Sequence, residues 1–357
     1  MNRSYLVIVG ARPNFIKAAP LFRRLSEFPQ LGFTLVHTGQ HFDRNMSEVF
    51  FEQMGIPKPD IQLDIKDGKP SEKIGKLISD LKEIIADKKY EGVIVFGDIN
   101  STLAGAIAAS TNLKKLIHIE AGLRSHDRRM PEEINRVITD HLSDLLFVTE
   151  QSGLDNLLLE GVSASKMVLV GNIMVESIEI FRKTFDGSSA LDDLALKAGQ
   201  YVVATIHRIE NTNDKQILIK LLKTLNVISE KYKVVLPLHP GTKKFITEYG
   251  LSSYLKPLLV IEPVGYIDFM KLVMDSKGVM TDSGGIQEET SYLGVPCCTL
   301  RDNTERPVTV TLGTNKLFPI ETLDPIVILE HLENGRKSKV QIPHWDGEVS
   351  KRILELL

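Results

Sequence analysis

The 357-residue sequence predicts an α/β protein built from two doubly wound domains. Three observations carry that expectation. The chain is longer than a single hydrophobic core usually organises. Short apolar runs alternate with amphipathic stretches along most of it, the pattern of a parallel sheet covered by helices. The alternation lapses once, over residues 179–199, where Gly187-Ser188-Ser189 punctuates a stretch with no strand pattern, and then resumes.

In the first set, strands are expected at Tyr5–Val9, Phe33–His37, Val93–Phe96, Leu116–Ile119, Leu145–Val148 and Val168–Val170. Helical periodicity covers Phe15–Leu25, Ser71–Ile85 and Thr102–Ala109 between them. The second set has strands at Tyr201–Thr205, Lys233–Leu236, Leu258–Ile261, Gly278–Thr281 and Pro296–Leu300, with helices at Asp214–Ser229, Asp268–Met274 and Gly285–Leu293. Asp346–Leu357 reads as one amphipathic helix. The expected division is a Rossmann-like domain over 1–175 and a second over 176–357, with a hinge near 172–190 and the final helix free to pack back on the first domain. Ligands of such sheets bind beyond the carboxyl ends of the strands, so a cleft between two of them suits a nucleotide-sugar.

Composition excludes several classes of partner. A net charge of −3 gives no global attraction to nucleic acid or to an anionic membrane. No run approaches the roughly 20 apolar residues of a membrane span, and Gly10-Ala11-Arg12-Pro13 stops the apolar run at residues 5–9. The only cysteines, Cys297 and Cys298, are sequence neighbours, poor disulfide partners and read as small buried hydrophobes, which points to a reduced, cytoplasmic setting.

The polar residues of interest fall just after predicted strands. GARPNFIK (10–17) is not the dinucleotide fingerprint, but it brings Arg12 and Lys17 to the mouth of a helix, a setting for a pyrophosphate or simply for two solvated cations. GDINST (97–102) places Asp98 at a strand end, where it could equally cap the next helix. HIEAGLR (118–124) supplies Glu120, and PEEINR (131–136) supplies Glu132, Glu133 and Arg136 at a helix start, a position acids favour for the dipole alone. Asp98, Glu120 and Glu132 are expected to converge on one rim. In the second half, TIHRIEN (205–211) offers His207 beside Arg208, and LPLHP (236–240) offers His239, each a candidate acid or phosphate ligand. TDSGGIQEE (281–289) is the strongest local signal: Ser283, Gly284 and Gly285 lead a strand into a helix as a backbone anion cradle, with Glu289 one turn inside to accept ribose hydroxyls. Glu305 and Arg306 could reach the same phosphates. No H-x-x-x-H on a helix, H-E-x-x-H or C-x-x-C occurs, and His37 and His41 flank a turn, so no metal is expected.

Taken in order, GARPNFIKAAP, HTGQHFD, GDINSTLAG, EAGLRS, PEEINR, TIHRIEN, TDSGGIQEE and RDNTERP resemble the non-hydrolysing UDP-N-acetylglucosamine 2-epimerase family, over residues 5 to about 315. The resemblance implies a GT-B-like fold. It implies reversible epimerisation at C2 to UDP-N-acetylmannosamine in surface polysaccharide synthesis, no cofactor, and a homodimer. By matching position it implies Asp98, Glu120 and Glu132 as catalytic carboxylates and His207 near the leaving diphosphate. It also implies Arg12, Lys17 and Arg306 as substrate contacts, Phe269 against the uracil, and Ser283, Gly284, Gly285 and Glu289 on phosphate and ribose; Arg136 and His239 are expected as further substrate-binding residues. Three places depart from the pattern: Ile209 replaces an Arg, Phe42 follows Gln40-His41 where Arg is common, and SHDRRM (125–130) is a short loop. These departures point away from activation by a second substrate molecule. They are shared with a subgroup acting on UDP-2,3-diacetamido-glucuronic acid. A hydrolysing 2-epimerase is a further alternative.

The C2 proton of such a sugar is not next to a carbonyl, and the nicotinamide fingerprint is missing. Elimination of UDP to 2-acetamidoglucal and its re-addition is the expected route. The sequence does not order the three acids into base, acid and charge stabiliser.

Overall fold

The computed structural model describes residues 3–39, 51, 55–65, 69–338 and 340–357. Gln40, His41 and Phe42 of the HTGQHFD motif lie outside them. Contacts divide the chain into two units, Met1–Ile180 with Pro343–Leu357, and Phe181–Ile342.

Unit 1 holds a parallel sheet in the order β3-β2-β1-β4-β5-β6-β7, where β1 is Arg3–Val9, β2 Leu31–His37, β3 Ile61–Gln62, β4 Tyr90–Phe96, β5 Lys115–Ala121, β6 Leu145–Val148 and β7 Met167–Leu169. β1 at its centre pairs with β2 on one side and β4 on the other, Val7 facing Leu35 and Ile94. Unit 2 repeats the plan as β10-β9-β8-β11-β12-β13, with β8 Tyr201–Thr205, β9 Lys233–Pro237, β10 Leu259–Ile261, β11 Gly278–Thr281, β12 Cys297–Thr299 and β13 Asn315–Leu317. Both orders reverse direction at a switch point, between β1 and β4 and between β8 and β11. The GT-B-like fold class read from the sequence, two doubly wound units, is borne out.

The strands read as unbroken apolar runs because both faces are covered. Side chains alternate across a strand, so neighbours go to opposite cores. In unit 2, Val202, Ala204, Leu236 and Met280 join Leu218, Leu222 and Leu225 of the Lys215–Ser229 helix. The intervening Tyr201, Val203, Val235 and Val279 join Leu272 and Val273 of the Tyr266–Met274 helix. The adjacent cysteines are both buried and unpaired, and burial pushes the Cys297 thiol up to about 11. In unit 1, Leu6, Ile8, Val93 and Val95 pack with Leu77, Leu81 and Ile85 of the Pro70–Ile85 helix and Ala104 and Ala108 of the Asn100–Thr111 helix.

Three expectations about elements are corrected. The short edge strands β3 and β13 carry too few apolar residues to register as strands. Residues 173–186, inside the expected hinge, form one helix. The last helix runs only over Val349–Leu354. The Asp346 carboxylate, which accepts the Glu348 N–H at 3.0 Å and the Arg352 guanidinium at 2.6 Å, precedes it. At its other end the Leu357 carbonyl leaves the helix to accept the Tyr5 hydroxyl at 2.7 Å.

Candidate functional site

In unit 1 the loops after β1, β4 and β5 meet at the switch point. The Arg12–Arg24 helix starts directly after β1, with Arg12, half-buried, as its first residue. The Asn14 side chain fixes that start: its oxygen accepts the Gly10 and Ala11 N–H groups at 3.3 Å, and its amide donates to the Phe96 carbonyl at the end of β4 at 3.1 Å. One turn on, Lys17 is buried and paired with Glu120. The reading of Lys17 as a solvated cation therefore falls. Glu120 adopts φ +73, in the left-handed region that residues other than glycine rarely occupy. It sits where the register between β5 and β6 shifts, so the irregularity aims the carboxylate. Gly97, at φ +59, has no side chain to obstruct the pair. A Cβ there would lie 3.0 Å from Lys17 Nζ and 3.5 Å from Glu120 Oε2.

Asp98 follows Gly97 and is bound by the Arg136 guanidinium, whose other nitrogen binds Glu133. The Pro131–Leu142 helix thus separates its two first-turn acids. Glu133 is buried and structural: it accepts the Ser125 N–H at 2.9 Å, the Ser125 hydroxyl at 2.8 Å and the His126 N–H at 2.9 Å. Burial raises its pKa, but the Ser125 bonds, Arg136 and His126 outweigh that and hold it below the usual range. Glu132, half-buried, makes none of these bonds. Asn135 donates to the Asp98 carbonyl at 2.8 Å. Asp98, Lys17, Glu120 and Arg136 are thus drawn together around Gly97 and the first turn that carries Glu132.

In unit 2, His207 follows β8 and Asp282 follows β11. His207 Nδ1 lies 2.8 Å from Asp282 Oδ1, and the carboxylate also accepts the His207 and Arg208 N–H groups, both at 3.0 Å. Burial pushes the Asp282 carboxyl up, but His207 and these N–H groups outweigh it and the pKa is lowered. The His207 side chain is 41% exposed, so its other nitrogen is open to a ligand. The His239 ring stands 6.1 Å from that of His207, and its Nδ1 accepts the Gly241 N–H at 3.1 Å, capping the Pro240–Glu248 helix.

Ser283 is the N-cap of the Gly284–Leu293 helix and makes no side-chain cap bond. A Cβ on Gly284 would come within 2.7 Å of the Arg306 guanidinium, whereas one on Gly285 would meet nothing within 4 Å. Buried Arg306 pairs with Glu288 and Glu305, both at 2.9 Å, and Arg301 also reaches Glu305 at 2.9 Å. Arg208 lies 3.7 Å from the same carboxylate. Arg208 also pairs with Glu210 at 3.3 Å, so guanidiniums and carboxylates form one ion-pair network beside the glycines. Glu289 is buried and accepts the Tyr266 hydroxyl at 3.1 Å. Phe269 is half-buried against the apolar cluster of that face.

Sequence reasoning passed over Asp282 and Arg301, and it did not separate structural Glu133 from Glu132. Asp282 had a signal, since it directly follows a strand opposite His207. The others are paired through space and had none.

A profile described as UDP-N-acetylglucosamine 2-epimerase matches residues 23–357. The UDP-N-acetylglucosamine 2-epimerase of Methanococcus maripaludis is 40% identical over 98% of this chain and 97% of its own. The UDP-2,3-diacetamido-2,3-dideoxy-D-glucuronate 2-epimerase of Pseudomonas aeruginosa is 46% identical over 99% of this chain and 98% of its own. Among solved structures, the Methanocaldococcus jannaschii UDP-GlcNAc 2-epimerase in complex with UDP-GlcNAc and UDP superposes with a TM-score of 0.91, at 36% identity and 99% coverage of both chains. The profile runs from Arg23 to Leu357 and the Methanococcus maripaludis relative covers 98% of the chain, and on that ground this chain belongs to the UDP-N-acetylglucosamine 2-epimerase family.

Proposed function

We propose that this chain interconverts UDP-N-acetylglucosamine and UDP-N-acetylmannosamine by eliminating UDP to 2-acetamidoglucal and adding it back. The observation that carries the reading is the carboxylate cluster of unit 1, in which Asp98 and Glu120 are each matched with a buried cation while Glu132 makes no ion pair among the described residues. In the forward half, a carboxylate, Asp98 in this reading, takes the C2 proton. The C2–H electron pair becomes the C1–C2 double bond, and the C1–O pair leaves with UDP. In the return half UDP attacks C1 and a second acid, Glu120 or Glu132, delivers a proton to the opposite face of C2. The positive charge that builds at C1 in each transition state is stabilised by the remaining carboxylate. His207 sits on the departing phosphate. Arg12, Lys17, Arg136 and Arg306 hold the anionic substrate, Ser283, Gly284 and Gly285 cradle the diphosphate, and Glu289 and Phe269 take the ribose and uracil. His239 is placed with them as a further contact. The product would enter surface polysaccharide synthesis, and the enzyme would act as a homodimer in the cytoplasm.

The test is proton NMR of the purified protein with UDP-N-acetylglucosamine in D2O. Deuterium at C2 and a growing UDP-N-acetylmannosamine signal are expected. Irreversible release of UDP would instead indicate hydrolysis, and no exchange would refute the reading. A second substrate is favoured by one observation, the 46% identity to the Pseudomonas aeruginosa enzyme. A parallel run with UDP-2,3-diacetamido-2,3-dideoxyglucuronic acid decides between them by the larger kcat/KM.

A further inference from the structure

β5 carries a second polar side chain two residues before Glu120. His118 is fully buried, with Nε2 2.8 Å from the Gly97 carbonyl and Nδ1 2.7 Å from Asp140 Oδ1. A carbonyl oxygen only accepts, so Nε2 carries a proton. The second Asp140 oxygen accepts the Gly122 N–H at 3.1 Å and the Arg124 guanidinium at 2.7 Å. Both contacts favour the ionised form of Asp140. Burial pushes its pKa up, yet His118 and Arg124 outweigh burial and hold it down. An ionised carboxylate also only accepts, so Nδ1 carries a proton as well. The Arg124 guanidinium, itself tied to Glu160 at 2.7 Å, extends this buried chain.

What the ring holds is the residue on which the proposed chemistry turns. Gly97 donates its N–H to the Ile119 carbonyl at 3.0 Å, gives its carbonyl to His118, lies against the Lys17–Glu120 pair, and is followed by Asp98. A glycine at φ +59 has little conformational preference of its own, so its carbonyl direction has to be imposed from outside.

We propose that His118 is a positioning residue, a buried imidazolium that clamps the Gly97 carbonyl and so fixes Asp98 against the Lys17–Glu120 pair. This rests on the reading that those carboxylates do the proton chemistry. Glutamine at 118 can supply the bond to Gly97 or the one to Asp140, not both with a charge, and Asp140→Asn removes the ionised acceptor.

The first measurement uses wild-type protein labelled with 15N-histidine. The expected spectrum contains one ring with a proton on each nitrogen, protected from exchange, that disappears in His118→Gln. A single protonated nitrogen at His118 overturns the proposal, whether or not the variant folds. The second measurement is C2 exchange. His118→Gln and Asp140→Asn are expected to lower kcat about ten- to hundredfold while KM and the dissociation constant for UDP stay within about threefold, the pattern of misplaced acids with intact nucleotide binding. A kcat within about twofold of wild type in either folded variant overturns the clamp. Wild-type protein that exchanges C2 of neither UDP-sugar would sink the proposed activity, while the labelled ring still decides the protonation claim.

Discussion

Breaking the Lys17–Glu120 pair from one side should cost more than removing it whole. The two side chains are only 9% and 5% exposed. Glu120→Gln leaves an ammonium in that setting and Lys17→Met leaves a carboxylate. Either single change removes one member of the buried ion pair and is expected to destabilise unit 1 by about 3–5 kcal/mol, whereas the double variant, which removes both, should lose far less. The positive φ of Glu120 costs about 1–3 kcal/mol, but every member of the cycle keeps a non-glycine residue there and the cost cancels. Trp345 offers a direct assay. It is the sole tryptophan, it is buried in unit 1, and its indole N–H donates to the Thr149 carbonyl at 3.3 Å. Its fluorescence in urea therefore reports the unit that carries the pair. At an m-value of roughly 3 kcal/mol/M, each single variant should lower the midpoint by about 1 M or more. Because the double variant should lose less than either single, the cycle should return a coupling energy of at least about 3 kcal/mol. Single variants that each lose under about 1 kcal/mol, or a double variant equal to their sum, would refute the argument.

Four further outcomes are expected. Burial lowers the His37 pKa to about 4, so its neutral ring favours folding above about pH 6.5; as the pH falls from there through 4 the unfolded chain binds the extra proton and unit 1 loses roughly 3 kcal/mol. His37→Leu should flatten that limb when Trp345 fluorescence is followed against pH. Glu132→Gln should keep the wild-type urea midpoint and lose about 10²–10⁴ in C2 exchange, while Glu133→Gln, which abandons buried donors, should lose about 2 kcal/mol or more of stability in the same urea titration. Asp282→Asn offers His207 an amide in place of a carboxylate, and kcat should fall about a hundredfold or more, with the pH profile of exchange altered. Gly285→Ala should leave stability within about 0.5 kcal/mol, since its methyl meets open space. In calorimetric titration it should weaken UDP about tenfold by occupying that space; unchanged affinity would remove Gly285 from the cradle.

What could be read in advance follows from the physics of each signal. Strands β1, β4, β8 and β11 are buried on both faces and announce themselves as apolar runs, so the polar residues just beyond them, Asp98, His207 and Ser283 among them, could be found without coordinates. The edge strand Ile61–Gln62 lacks such a run and was silent. Partnerships were also silent. Glu132 and Glu133 are equivalent acids in a first helical turn until Ser125 and Arg136 are seen to claim one of them. His118 and Asp140 are 22 residues apart and belong to different elements, so no spacing rule joins them. The left-handed backbone of Glu120 violates local preference, and a sequence argument that follows preference has no means of anticipating it.

Unit 1 is not contiguous in the chain: Pro343–Leu357 completes it after all of Phe181–Ile342 has intervened. During synthesis at roughly 5–20 residues per second, the nascent first unit waits on the order of ten to thirty seconds for its last piece. Until that piece emerges, Glu176 lacks the Ser350 N–H and hydroxyl that it binds at 2.5 and 2.6 Å, and Tyr5 lacks the Leu357 carbonyl. The half whose translation begins first is therefore the half whose last piece is made after all of the other.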